Sequence, residues 1–81
     1  SHLTFYRLQE KAQHDVTSGN PETAYQRLMN LSSHLMAKGE SGLAKIALNE
    51  AQYIRSHNNF SPTGKKELKY GTRHLMLPEK T

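Results

Sequence analysis

The clearest helical pattern in this chain lies in residues 41–54, which read SGLAKIALNEAQYI. Leucine, isoleucine and alanine recur there at intervals of three and four residues, so they lie on one face of an α-helix that turns about every 3.6 residues. The apolar stripe is broad and rich in alanine, which lets a neighbouring helix approach closely at little cost in side-chain entropy. We expect this segment to be the central and most buried helix.

Helix-breaking residues on both sides of this segment divide the chain into four pieces of similar length. Gly19 and Gly39 can adopt the left-handed conformation that ends a helix, and Asn20 can cap the helix that follows. Ser61 and Pro62 offer a cap and a first helical residue for the last piece. The predicted helices are residues 4–18, 21–37, 41–56 and 62–76.

The fourth predicted helix is expected to be the least stable, because Gly64 and Gly71 each cost about 1 kcal/mol in a helix interior relative to alanine. Strands are not expected, since the chain has a single valine and no alternating run of β-branched and aromatic residues. Short turns between helices of equal length favour antiparallel neighbours.

The predicted fold class is therefore all-α: a small antiparallel helical bundle of three to four helices, built from helical hairpins with TPR-like packing. A shift of 20 residues superposes four leucines, which reflects either duplication or four similar amphipathic helices. The expected core residues are Leu8, Leu28, Leu31, Leu35, Ala44, Leu48, Ala51 and Leu68.

The length of 81 residues is enough for one small domain. Ser1-His2 resembles the remnant of a purification tag, so we expect residues 1–3 to be a disordered start, residues 4–78 a single helical domain and residues 79–81 a tail. The chain has no cysteine, which excludes disulfides and thiol chemistry, and no apolar run of membrane-spanning length. A cytoplasmic location is expected.

No group of residues has the spacing of a catalytic or metal-binding site. The five histidines lack the separation that places two ligands on one helical face, and no carboxylate completes a zinc motif. Ser33 and His34 are adjacent, so they point about 100° apart on a helix. The carboxylates are spread over separate helices, as expected of a solvated face. We expect a non-enzymatic protein with no catalytic, metal or cofactor-binding residue and no cofactor.

Positive charge is concentrated in the fourth predicted helix, where Lys65, Lys66, Lys69 and Arg73 surround Tyr70 on or near the exposed side. Basic residues interleaved with an aromatic residue can neutralise phosphates and stack on a base. A solubilising face explains the same pattern, because cations are favoured toward a helix C-terminus by its dipole. We prefer the second explanation, so nucleic acid is the less favoured partner.

Apolar and aromatic side chains lie beside the main stripe of the second predicted helix and at the end of the fourth. Those of the second helix form either the edge of the core or an exposed strip for a partner. Those at the end of the fourth either cap the bundle or dock on another domain. The candidate protein-binding residues are Tyr25, Met29, Met36, Leu75, Met76 and Leu77.

Six short segments follow one another in a recognisable order: AYQRLMNL (24–31), HLMAKGE (34–40), LA (43–44), ALNEA (47–51), LKYGTR (68–73) and LMLP (75–78). In this order they resemble the C-terminal helical region of bacterial proteins with a von Willebrand factor type A (vWA) domain, over about residues 4–78. The most specific piece is KYGTR. In such proteins the type A domain precedes this region and binds a divalent cation through a D-x-S-x-S motif, which this chain lacks.

The resemblance implies a non-catalytic helical protein-interaction or scaffolding module, the C-terminal auxiliary domain of a larger bacterial vWA-domain protein. The expected partner is a protein, either its own vWA domain or another. The alternative is a nucleic-acid-binding helical domain that uses the basic fourth helix. The sequence leaves the oligomeric state open.

Overall fold

Four helices make up the part of the chain that the structure, a computed structural model, describes, which is residues 2–76. They are α1 (His2–Thr17), α2 (Pro21–Ala37), α3 (Ser41–His57) and α4 (Pro62–Met76), and these residues form no strand. The all-α prediction is confirmed, and the bounds of α2 and α4 are those predicted. α1 begins at His2, two residues earlier than the predicted start at residue 4. Phe5, which is 4% exposed, holds this end of α1 in the core.

The turns between the first three helices use the predicted glycines. Gly19 and Gly39 have φ angles of 81° and 79°, the left-handed conformation expected at a helix end. The predicted cap by the Asn20 side chain is wrong, because Asn20 occupies the N-cap position without a side-chain hydrogen bond to the helix. Pro21 stands at the start of α2, where its missing N–H leaves one amide fewer to be capped.

Each helix packs against two others, and together they close into a bundle. α1 packs on α2, α2 on α3, α3 on α4 and α4 on α1, whereas the described parts of α1 and α3, and of α2 and α4, do not come into close contact. Contacts between the late residues of one helix and the early residues of the next, such as Asp15 with Arg27, show that neighbours run antiparallel. The predicted antiparallel bundle is confirmed.

The core is aliphatic and rich in alanine, as the apolar stripes predict. Leu8 and Leu48 depart from the prediction, since both are only half-buried. Leu8 packs on the edge of the core, and Leu48 faces outward between α2 and α3 because alanines occupy the inward face of α3. The 20-residue shift superposes Leu8, Leu28, Leu48 and Leu68. Of these four leucines the second and fourth are fully buried and the other two half-buried, so they lie in unlike environments. The buried hydrophobic residues are Phe5, Ala12, Ala24, Leu28, Leu31, Leu35, Ala44, Ala47, Ala51, Ile54, Phe60 and Leu68.

A buried carboxylate on α3 fastens the start of α4. Glu50 is 5% exposed; its Oε1 accepts from the Ser61 backbone N–H at 2.9 Å and its Oε2 accepts from the Ser61 hydroxyl at 2.6 Å. The Ser61 Oγ in turn accepts from the Gly64 N–H at 3.1 Å, which confirms Ser61 as the cap of α4. A negative charge at a helix N-terminus is also favoured by the helix dipole.

A second carboxylate is buried between α1 and α2. Asp15 is 8% exposed, and its Oδ2 lies 2.5 Å from the Nε of Arg27. Together with Glu50, it contradicts the expectation that the carboxylates lie on a solvated face. Both carboxylates have partners that compensate their removal from water, which is the condition for burying a charge.

The two glycines of α4 allow close contact with α3, so they do more than weaken the helix. A Cβ on Gly64 would collide with the Glu50 carboxylate, and a Cβ on Gly71 would lie 2.6 Å from Leu43 Cδ1. At Gly64 a larger residue would have to displace the hydrogen-bonded Glu50 carboxylate, whereas at Gly71 the flexible end of the Leu43 side chain can move aside.

Gly64→Ala is expected to destabilise the domain by about 1–3 kcal/mol, because the new methyl group overpacks the contact with Glu50. Gly42→Ala is the matched control: Gly42 also lies in a first helical turn, but nothing lies within 4 Å of its added Cβ. There the higher helix propensity of alanine should stabilise the domain by about 0.5–1 kcal/mol. Urea unfolding followed by circular dichroism measures both, and effects of the same sign would contradict this prediction.

Candidate functional site

A shallow apolar groove runs along the outer surface between α2 and α3. Met29 and Met36 form its α2 side and Leu48 its α3 side, and the larger of two adjoining depressions has a volume of about 540 Å³. Met36 is 57% exposed, so much of its apolar side chain is open to a partner. Two of the sequence-predicted contact residues are thus brought together with Leu48, which the sequence pattern had assigned to the core.

Small residues form the floor of this groove. Ser41, Gly42 and Ala44 of α3 line it beside Ser32 of α2, and the Ser32 hydroxyl donates to the Ala44 backbone carbonyl at 2.8 Å. This hydrogen bond ties the two helices together, so Ser32 is occupied as a structural donor. The short side chains leave the longer Met36 and Leu48 standing above the floor on either side.

Tyr25 lies one helical turn before Met29 on α2 and lines neither depression of the groove. It is half-buried and packs on the core, while the Arg55 guanidinium lies 4.6 Å from the centre of its ring. This cation–π contact covers one ring face. Tyr25 is therefore packed on the core and covered by Arg55, rather than a free contact residue of the groove.

The remaining predicted contact residues lie away from the groove. Leu75 and Met76 are both half-buried at the end of α4, and Leu75 packs against the core. Neither lines the depressions between α2 and α3. Leu77, like residues 78–81, falls outside the described residues.

The predicted basic surface of α4 is exposed to solvent. Lys65, Lys66, Lys69, Tyr70 and Arg73 are all exposed, and Tyr70 has 59% of its surface accessible. Within residues 2–76 the Asp15–Arg27 contact is the one ion pair, so the four cations of α4 have no carboxylate partner in this part of the chain.

The described residues contain no group of three or more histidine or carboxylate side chains placed to hold a metal ion. Across the same residues, no helix combines the length and the apolar character that a bilayer crossing requires.

Comparison with protein families matches residues 1–78 to the family described as "Sll0103-like, C-terminal alpha-helical domain". No curated protein and no solved structure matches the chain.

Proposed function

The chain belongs to the Sll0103-like, C-terminal alpha-helical domain family, and from this premise we propose that it is a non-catalytic module that binds another protein segment. The family description supports an auxiliary helical domain of a larger protein. The resemblance to the helical region of vWA-domain proteins supports the type A domain of the same protein as the partner.

The observation that carries the proposal is the groove between α2 and α3. Met29, Met36 and Leu48 present apolar surface around a floor of small residues. Methionine adapts its shape to a partner at low cost, and a groove between two antiparallel helices accepts the ridge of side chains of a third helix. From Met29 to Ala37 the groove follows α2 for about 12 Å, the length of about two helical turns.

The test is a titration of the isotope-labelled chain with the type A domain that the resemblance places upstream. We expect amide shift changes concentrated at the groove residues of α2 and α3. Met36→Glu should weaken binding by tenfold or more, because it places a charge in the centre of an apolar contact.

Leu3→Glu is the matched control, since Leu3 is also an exposed apolar residue, at 46%, but lies on α1 outside the groove. It should leave the affinity unchanged. Equal losses in the two variants, or shift changes confined to α1 and α4, would contradict the groove as the binding site. Absence of any shift change would contradict the type A domain as the partner.

A further inference from the structure

The chain carries a formal net charge of +4, and most of its lysine and arginine side chains are exposed. Asp15 is paired with Arg27 and Glu50 is hydrogen-bonded to Ser61, so neither carboxylate forms an ion pair with a cation of α4. Among residues 2–76 the exposed carboxylates are Glu10, Glu22 and Glu67, with Glu40 half-buried. In the same part of the chain the exposed lysine and arginine residues are Arg7, Lys11, Lys38, Lys45, Arg55, Lys65, Lys66, Lys69 and Arg73.

The helix dipole accounts for only part of the charge on α4. Arg73 lies in the last turn, where a cation is favoured, but Lys65 and Lys66 lie near the start, where a cation is disfavoured. The first turn of α4 contains no acidic residue to offset them. Their positions therefore call for an explanation other than the stability of the helix.

Helical spacing aligns these cations along α4. Lys65, Lys69 and Arg73 follow one another at intervals of four residues, which is a rise of about 6 Å for each step. Lys66 lies one turn before Tyr70 and Arg73 one turn after it, and the exposed Glu67 is the one carboxylate of α4 beside them. Within residues 2–76 the Tyr70 ring has no hydrogen-bond or ring partner, and it is 59% exposed.

We propose that this face of α4, formed by Lys65, Lys66, Lys69, Tyr70 and Arg73, binds single-stranded nucleic acid. The cations contact successive phosphates, and a base stacks on Tyr70. The proposal goes beyond the protein-binding function, because it uses a different face of the bundle. The unpaired aromatic ring favours a single strand over a duplex, whose bases are stacked on one another, and over an acidic protein, which offers carboxylates but no base to stack.

The first experiment measures the affinity of the chain for a labelled oligothymidylate at several salt concentrations. Binding should be strongest at low salt, and neutralisation of four phosphates predicts a slope of log K against log salt of about −2.8. A slope of about −2.8 means that the affinity falls about 50-fold when the salt concentration rises from 50 to 200 mM. A duplex of the same length and a polyglutamate of the same charge should bind at least tenfold more weakly.

Two kinds of variant separate charge from stacking. Lys65→Gln with Lys69→Gln should reduce the slope to about −1.4 and weaken binding at 50 mM salt by about 60-fold. Tyr70→Ala should weaken binding by about tenfold and leave the slope unchanged, because it removes stacking without removing charge. Tyr70→Phe should bind like the unaltered chain.

Lys38→Gln with Lys45→Gln is the matched control, since it removes the same charge beside the groove rather than from α4. It should retain the slope of about −2.8. The proposal is overturned if no binding occurs at 50 mM salt, if the duplex or polyglutamate binds as tightly as the single strand, or if the control lowers the slope as much as the α4 variant. Met36→Glu should not change this affinity, so the outcome is independent of the protein-binding proposal.

Discussion

Glu50→Ala is expected to lower the free energy of unfolding by about 3–5 kcal/mol. The variant leaves the Ser61 N–H and hydroxyl without the charged acceptor that they now share, and hydrogen bonds to a charged group contribute about 1.5–3 kcal/mol each. It also removes a negative charge from the start of α4. A domain of this size has a total stability of roughly 4–12 kcal/mol, so the loss is a large share of it.

Urea unfolding followed by far-ultraviolet circular dichroism measures this effect. Glu10→Ala is the control, because Glu10 is exposed on α1, and its replacement should change the stability by no more than about 0.5 kcal/mol. Glu50→Gln should fall between the two, since the amide keeps one acceptor oxygen but loses the charge. Equal stabilities of the Glu50→Ala and Glu10→Ala variants would show that the Glu50 contacts contribute nothing to the fold.

Leu28→Ala is expected to cost about 2–5 kcal/mol, whereas Leu48→Ala should cost only about 1 kcal/mol. The two leucines are chemically identical and occupy equivalent places in the 20-residue register. Leu28 is fully buried, so its truncation leaves a cavity, while Leu48 stands half-exposed at the side of the groove. Water or a neighbouring side chain fills the space that the shortened residue leaves there.

The comparison is made from denaturant midpoints of the two variants, with the slope of unfolding checked for each. Equal losses in the free energy of unfolding would mean that Leu48 is packed as tightly as Leu28. The groove would then not be an open surface. The same pair also separates folding from binding, because Leu48→Ala alters the groove in a chain that remains folded.

The helices could be predicted from sequence because their signals are local. The glycines at positions 19 and 39 and the Ser61-Pro62 pair mark helix ends through their own backbone preferences, and the structure uses all of them. The side-chain cap expected from Asn20 did not form. A cap needs the side chain to be aimed at the helix, and residue type alone does not determine that.

The inward and outward orientation of each helix could be predicted only in part. The alanine-rich stripe of α3 fills the inward face, so the larger Leu48 at its edge is turned outward. Periodicity places Leu48 near the stripe but does not say which of two adjacent positions faces the core. The groove depends on how α2 and α3 pack against each other, so the pattern of either helix alone does not predict it.

The buried carboxylates were missed because their partners are distant in sequence. Asp15 meets Arg27 across the first turn, and Glu50 meets Ser61 across the last. An acidic residue on an amphipathic helix is usually solvated, so composition alone favoured the wrong answer for these two. For Glu50 the sequence does contain one relevant signal. Gly64 has no side chain, which leaves room for the Glu50 carboxylate against the start of α4.

The fastening of α4 at its start has a consequence for the order in which the bundle opens. The Glu50 and Ser61 contacts hold the first turn, and Leu68 and Thr72 are buried beyond it, whereas Leu75 and Met76 are only half-buried. Segments with few buried contacts open at lower free energy than the rest of a domain. We therefore expect fraying of α4 to begin in its last turn, so that backbone amides near Leu75 exchange with solvent before those near Leu68.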